Sequence, residues 1–420
     1  MRKYDSYKDS GVKWMGEIPC HWQAVRIKWL LNERIERSED GKGTPLSMSQ
    51  KYGLIPTSEM DTVPNLAANY IGAKRVYVND LVFNKLKAHL GVFAISKNDG
   101  LVSPDYAVYT PTPRTFLPYL EYLFHTQLYI SEFKKKTTGV AIGFTRLYTD
   151  GLFAIYSIYP PLEEQKSIVA YLNKKTAEID EQVSKVEREI ELLKEYKQAE
   201  IARVVTHGLN PDAPTKPSGI AWIEYVPAHW DIRKIKFAFS ERSEKNHPEE
   251  PVLCATQSQG VIPQSMYENR VVVVNKGFEN LKLVKVGDFV ISLRSFQGGI
   301  EYAYYQGIIS AAYTILRPNS FLDSGYARLL LKSYNFIQLL KTCVTGIREG
   351  QNINYDLLKN KYIPIPPIDE QQDIATYIEH KTTEIDRLVV ELTYQVEYLK
   401  EYKQRLIADV VTGKINVQPD

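Results

Sequence analysis

Pro160-Pro-Leu-Glu-Glu-Gln165 opens a segment that the chain repeats, at a constant offset, as Pro366-Pro-Ile-Asp-Glu-Gln371. The likeness runs on through Ile168, Tyr171, Leu172, Lys175, Thr176, Glu178, Ile179 and Asp180 in one copy. The other copy has Ile374, Tyr377, Ile378, Lys381, Thr382, Glu384, Ile385 and Asp386. Such self-similarity marks an internal repeat. A double proline cannot continue a helix from upstream but suits a helix start. Glu163 and Glu164, and Asp369 and Glu370, put negative charge in the first turn, where the helix dipole favours it.

Apolar residues then recur at spacings of four and three. They are Ile179, Val183, Val186, Ile190 and Leu193, and again Ile385, Val389, Leu392, Val396 and Leu399. This is a heptad seam, by which one long helix buries itself against another. Gly208 and Gly413 follow the matching ends Val204-Val-Thr206 and Val410-Val-Thr412 and stop the helices. A helix of roughly 42 residues is about 63 Å long, the scale of a spacer.

The N-terminal region is duplicated as well. Ser10-Gly-Val-Lys-Trp14, Ile18-Pro19 and His21-Trp22 match Ser218-Gly-Ile-Ala-Trp222, Val226-Pro227 and His229-Trp230. The repeated tryptophans read as packing anchors. The repeated histidines read as hydrogen-bonded packing residues. Between the twin motif and the helix, each half reads as mixed α and β. Asp80-Leu-Val-Phe-Asn84 and Asp288-Phe-Val-Ile-Ser292 are turn-then-strand patterns. Val271–Val274 and Ile308-Ile309 read as strands, and Leu117 to Phe133 and Phe321 to Leu340 have helical spacing.

The expected fold is therefore α+β, a tandem duplication of a mixed α/β globular domain plus a long helix, the two helices pairing as an antiparallel coiled coil. The boundaries read as 1–159, first globular domain; 160–207, first spacer helix; 208–365, second globular domain; and 366–420, second spacer helix and tail. Two equivalent units pack most simply about a pseudo-two-fold axis, which would put the globular parts at opposite ends of the helix pair.

Net charge is +2, but it is unevenly spread: about +5 before Pro160, about +4 between the helices, about −2 and −5 on the helices themselves. A polyanion would meet the globular parts. Cys20, Cys254 and Cys343 lack metal-ligand spacing, and no apolar run is long enough to span a bilayer. A reduced cytoplasmic chain with no signal peptide, no membrane contact and no metal is expected.

Catalytic motifs are imitated rather than present. Ser103-Pro-Asp-Tyr106 approaches an adenine-methyltransferase signature without a cofactor turn. Asp105 with Glu132 and Lys134 mimics a metal-dependent nuclease, yet Glu132 and Lys134 fall on a helical stretch. Loop residues instead suit base edges and phosphates. In the first half they are Lys85, Lys87 and His89, then Lys134, Lys135 and Lys136, then Thr145 and Arg146. In the second half they are Arg294, Ser295 and Gln297, then Arg348, Gln351, Asn352 and Asn354. The two sets stand at corresponding places and differ in chemistry. The loops that carry the later residues of each set begin Thr138-Gly-Val-Ala-Ile-Gly143 and Thr345-Gly-Ile-Arg-Glu-Gly350.

Taken together, Tyr7-Lys-Asp-Ser-Gly11, Trp14, Gly16-Glu-Ile-Pro19, Trp22, the Pro-Pro-x-Glu/Asp-Glu-Gln helix starts and Leu406-Ile-Ala-Asp-Val-Val-Thr-Gly413 resemble the specificity subunit of Type I restriction–modification systems over essentially the whole chain. The resemblance implies a non-catalytic, sequence-specific double-stranded-DNA-binding subunit. Residues 1–159 and 208–365 would be two target-recognition domains that read a split, non-palindromic target. The helices would fix the gap and dock two copies of a methylation subunit, and a restriction/translocase subunit could join. It implies no cofactor in this chain: S-adenosylmethionine, ATP and Mg would belong to partner subunits. Readout residues vary with the target in that family, so none of the loop candidates follows from the resemblance.

Overall fold

A computed structural model describes residues 2–50, 52–61, 69–139, 145–267, 277–293, 295–346 and 352–418. The chain divides into two compact units, Met1–Val186 with Tyr394–Asp420, and Glu187–Thr393. Each long helix, Leu162–His207 and Ile368–Val411, contributes residues to both.

In the first unit, four antiparallel strands stand in the order Leu31–Arg34, Tyr106–Pro111, Leu81–Asn84 and Phe93–Ile95. Leu81, Val82 and Phe83 are all buried because the sheet is covered on both faces. Val82 and Val108 pack with Leu46, Leu54, Val76 and Val102. Phe83 stacks on Phe93 at 4.4 Å and meets Phe124 and Phe133 edge-on. The second unit repeats the layout with Phe239–Arg242, Thr314–Pro318, Phe289–Ile291 and Glu301–Tyr302. Here Val290 and Ile315 face one apolar cluster, while Phe289 joins another with Tyr326 and Phe336.

The expected helical stretch from Leu117 to Phe133 is two helices, Leu117–Phe124 and Gln127–Lys136. Its counterpart is Ser324–Lys332 and Tyr334–Thr342. The break falls at Thr126 and Ser333, whose hydroxyls donate to the carbonyls of Leu123 and Leu330 at 2.7 and 2.8 Å. Short hydroxyl side chains offer the backbone an alternative to continuing the helix. Ile308-Ile309 is strand, within Gly307–Ile309. Val271–Val274 lies outside the described residues.

The repeated motifs meet one another. Gln23–Arg26 pairs with Tyr156–Tyr159, and Asp231–Lys234 with Tyr362–Ile365, so each long helix leaves from a strand held by the N-terminal twin. Gln165 accepts from the Phe116 N–H at 2.9 Å and donates to the Pro160 carbonyl at 2.9 Å. Gln371 likewise accepts from the Asp323 N–H at 2.7 Å and donates to the carbonyls of Phe321 and Pro366. Both glutamines are buried, so their amides satisfy backbone groups that water cannot reach. His21 pairs with Glu164 at 2.8 Å and His229 with Glu370 at 2.7 Å. Trp22 and Trp230 are fully buried. Trp14 meets Tyr129 edge-on, and Trp222 meets Phe336 in the same way.

The helices end as they began, in matched contacts. Tyr119 donates to the Val411 carbonyl and Tyr326 to the Val205 carbonyl, each at 2.9 Å. Gly413 and Gly208 take positive φ, +79° and +77°. Along the seam, Ile179, Val183, Val186, Ile385 and Val396 are buried; Ile190, Leu193, Val389, Leu392 and Leu399 are half-buried. Intermediate burial is what a two-stranded pair provides. Within the second unit Lys197 meets Asp386 at 2.6 Å while Tyr377 meets Glu200 at 2.9 Å, so the strands of the coil run antiparallel. No helix among the described residues is long and apolar enough to cross a membrane.

Candidate nucleic-acid interface

In each unit a buried aspartate anchors the root of the first candidate loop. Asp80 accepts both a bidentate Arg34 contact, at 2.8 and 3.0 Å, and the Tyr77 N–H at 2.8 Å. Asp288 does the same for Arg242, at 2.7 and 3.1 Å, and for the Lys285 N–H at 2.8 Å. The carboxylate fork pushes both guanidinium groups above their ordinary range. Such two-point pairs fix geometry as well as charge. The scaffold is thus the same in both units up to the residue where the loops begin.

Beyond that point the units differ. In the first, the Lys85 carbonyl accepts from the Leu147 N–H at 3.0 Å, and Thr138 and Arg146 exchange backbone hydrogen bonds at 2.9 and 2.8 Å. Lys85, Thr145 and Arg146 are therefore brought together, all half-buried. Burial and the neighbouring Lys74 charge hold the Lys85 ammonium below its ordinary range. The Arg146 guanidinium lies 3.7 Å from Asp105, and its Nε has no hydrogen-bond partner among the described residues. His89 Nδ1 is likewise unpartnered, and Lys87 is exposed beside it. This grouping of cations and under-used donors can donate to phosphate or base-edge oxygens.

Lys134, Lys135 and Lys136 are exposed in the last turn of their helix, where positive charge complements the dipole. Lys135 is paired with the buried Glu132 at 2.5 Å. Glu132 is thereby engaged locally, and Asp105 faces Arg146 instead.

In the second unit Gln297 is exposed and lines a cavity of ≈ 570 Å³. Ser295 is turned inward: its hydroxyl is buried and accepts from the Ser292 N–H at 2.9 Å, which opens the short helix Ser295–Gly298. Asn354 caps the helix Tyr355–Leu358, accepting from the Leu357 N–H at 3.2 Å. Asn352 is exposed on a two-residue strand and contacts Thr345 at 3.4 Å. Arg294, Arg348 and Gln351 lie outside the described residues.

Sequence reading passed over three residues. Lys74 is a buried lysine on a strand, 3.4 Å from Glu33. The buried Glu301 pairs with the half-buried Lys332 beside the Gln297 cavity. The signal of the last two was a departure from the repeat, visible only once strand register aligned the halves, whereas Lys74 has Lys282 as its counterpart.

The family model of the Type I restriction modification DNA specificity domain matches residues 22–192 and again residues 231–396. The chain belongs to that family, whose members are non-catalytic subunits of Type I restriction–modification systems. It is 23% identical, over 98% of both chains, to the Methanocaldococcus jannaschii protein named as the MjaX specificity subunit. It is 26% identical to the MjaVIII specificity subunit of the same organism over 62% of each. The HsdS subunit of Thermoanaerobacter tengcongensis shares the fold with a TM-score of 0.57 at 17% identity, covering 95% of this chain and 98% of that one. A chain from a structure of a Type I restriction–modification complex aligns with a TM-score of 0.66 at 16% identity, covering 95% and 99%.

Proposed function

We propose that this chain selects the DNA sequence on which a Type I restriction–modification complex acts. Each recognition unit reads one part of a split target, and the paired helices set the gap between the parts. The observation that carries this reading is one scaffold, with equivalent Arg–Asp forks, bearing two chemically different loop sets. Different loops favour a non-palindromic target. The Lys85–Arg146 group supplies phosphate and base-edge contacts in one half, and Gln297 in the other.

Two copies of a methylation subunit would dock on the repeated surface. Trp29 and Phe237 support this: they stand exposed at matching places, each with the preceding lysine over its ring at 5.4 and 5.3 Å. Exposed aromatics of this kind are frequent anchors of protein interfaces. The docked subunit would flip an adenine out of the duplex and methylate it with S-adenosylmethionine. A restriction/translocase subunit using ATP and Mg would complete the complex, leaving this chain without a cofactor of its own.

The test is the adenine-methylation map of host DNA with and without the gene. Methylation at one split, non-palindromic motif that disappears with the gene is expected. An identical map, despite a functional methylation partner, would remove the DNA-selecting role.

A further inference from the structure

We propose that the recess beside Glu301 reads an amino group on a base edge, cytosine N4 or adenine N6, in the half-site held by the second recognition unit. The proposal rests on the DNA-selecting role given above and assigns one specificity contact within it.

Glu301 begins the strand Glu301–Tyr302 and is 2% exposed. Lys332 Nζ lies 2.7 Å from each carboxylate oxygen but donates only to Oε1, and it also donates to the Gln257 carbonyl at 3.1 Å. Oε2 receives no aligned hydrogen bond among the described residues. An ionised carboxylate offers about four acceptor positions, so a single ammonium leaves the group under-filled. Oε2 is in ion-pair contact with Lys332 and meets no other donor among the described residues, whereas buried carboxylates usually have more of their acceptor positions filled.

The under-filled carboxylate lines open space. Gln257, Ser258, Gln297 and Tyr313 share with it the cavity of ≈ 570 Å³. A second cavity of ≈ 300 Å³ has Gln257, Ser258 and Glu301 in common with the first and adds Arg328 and Lys332. The exposed Gln297 side chain, on the loop that corresponds to Lys85 and its neighbours, forms part of the lining.

The repeat shows that the fold does not require this pair. Val290 pairs with Glu301 as Val82 pairs with Ala94. Lys332 precedes Ser333 as His125 precedes Thr126, at the same helix break. Ala94 and His125 thus hold the matching positions in the first unit. There His125 bonds the carbonyls of Glu121 and Gly91 and lies 4.1 Å from the Phe93 ring. Burying a carboxylate, even beside a half-buried lysine, is costly in desolvation and is weak evidence of a stabilising role. Here it occurs in one copy only, in the part of the repeat where the halves diverge.

Ligand class follows from acceptor chemistry. A carboxylate accepts and does not donate, so it matches the amino groups of cytosine and adenine and rejects the oxo groups of guanine and thymine. A phosphate would place its charge against the carboxylate. Lys332 neutralises Glu301, so the recess does not repel the polyanion as a whole. Burial pushes the Glu301 carboxyl up to about 7, which brings its ionisation into the range where the complex can be assayed.

The full complex with its methylation subunit is assayed on a plasmid library of degenerate target sequences. With Glu301→Gln, discrimination should change about tenfold or more at one position of one half-site, since a good base contact carries that order of selectivity. Preference should move from an amino-bearing base toward an oxo-bearing one, because the new amide can donate. Which base is lost, cytosine or adenine, names the ligand. The other half-site should read unchanged. Gln297→Ala, at an exposed position, should loosen the same or the adjacent position and decides the matter if Glu301→Gln fails to assemble. Wild-type discrimination at that position should fall between pH 8 and pH 6, and the fall should vanish in Glu301→Gln. A motif unaltered in both variants, or equal loss on every sequence, overturns the assignment. A wild-type complex that methylates no split motif overturns the underlying role instead.

Discussion

Lys403 Nζ lies 2.7 and 2.6 Å from the two carboxylate oxygens of Asp180, and Lys197 stands in the same relation to Asp386. The two pairs occupy equivalent places in the repeat, one in each unit. Their aspartates are largely exposed, so they specify register more than they stabilise. Lys403→Ala should change unfolding free energy by less than about 1 kcal/mol. Ile179→Ala, at a buried seam position, should cost about 2 kcal/mol or more. Urea titrations of the two variants against wild type check the ranking.

Glycine has unequal importance at the two helix ends. At Gly413 an added Cβ would meet Pro19 Cδ at 2.6 Å and Trp22 at 2.8 Å; at Gly208 it would meet the flexible Glu370 carboxylate at 3.0 Å and Trp230 at 3.3 Å. Both replacements suffer from positive φ, roughly 1 kcal/mol or more. Only Gly413→Ala must also displace ring atoms. It should be the more destabilising of the two by over about 1 kcal/mol, read as the larger fall in melting temperature.

Gln371→Leu should be severe although it swaps one uncharged side chain for another of similar size. The change would leave the Asp323 N–H and the carbonyls of Phe321 and Pro366 without the amide that serves them. Each orphaned buried group costs about 1–3 kcal/mol. The expected result is early proteolysis around residues 321–323 and loss of the cooperative transition of the second unit. Gln371→Glu should restore acceptance from Asp323 but not donation, giving an intermediate loss.

Trp29→Ala removes an exposed ring, so the isolated chain should keep its unfolding free energy within about 0.5 kcal/mol of wild type. Binding of the methylation subunit should weaken by about 2 kcal/mol, roughly thirtyfold, if this ring anchors docking. Titration calorimetry with the purified partner measures it, and Phe237→Ala should weaken the second binding event in the same way.

Ionisation of Glu301 gives stability a sign that can be checked. Its folded pKa, about 7, lies above the ordinary carboxylate value of 4.5. The folded state therefore holds the proton more tightly across that window. The associated stability is present below pH 4.5 and is lost as pH rises through 7. Glu301→Gln should flatten the stability–pH curve between these limits.

Much of the architecture could be read from local pattern. The seam from Ile179 to Leu193, the prolines and acids at the helix starts and the glycines at the ends are signals carried by neighbouring residues. Leu117–Phe133 shows where that reading stops short: apolar spacing continued across Thr126, while the hydroxyl and the backbone ended the helix. Among the loop candidates, Lys85, Thr145 and Arg146 come together. Ser295 and Asn354 have chemistry suited to a base but use it on their own backbone. Composition does not distinguish a polar side chain offered to a ligand from one spent on a turn.

That the chain is a duplication built on two long paired helices is legible in the residues alone, because repetition, helix caps and heptad period are local and survive without knowledge of any contact. Which motifs meet is settled by the folded chain. His21 finds Glu164, Tyr7 donates to the Gly413 carbonyl and Gln371 holds Asp323 across stretches of chain that carry no mutual signal. It also decided that Glu301 is buried beside Lys332 with an acceptor to spare. Burial is a property of packing between distant segments, and it is burial that turns an ordinary glutamate into a candidate reading group.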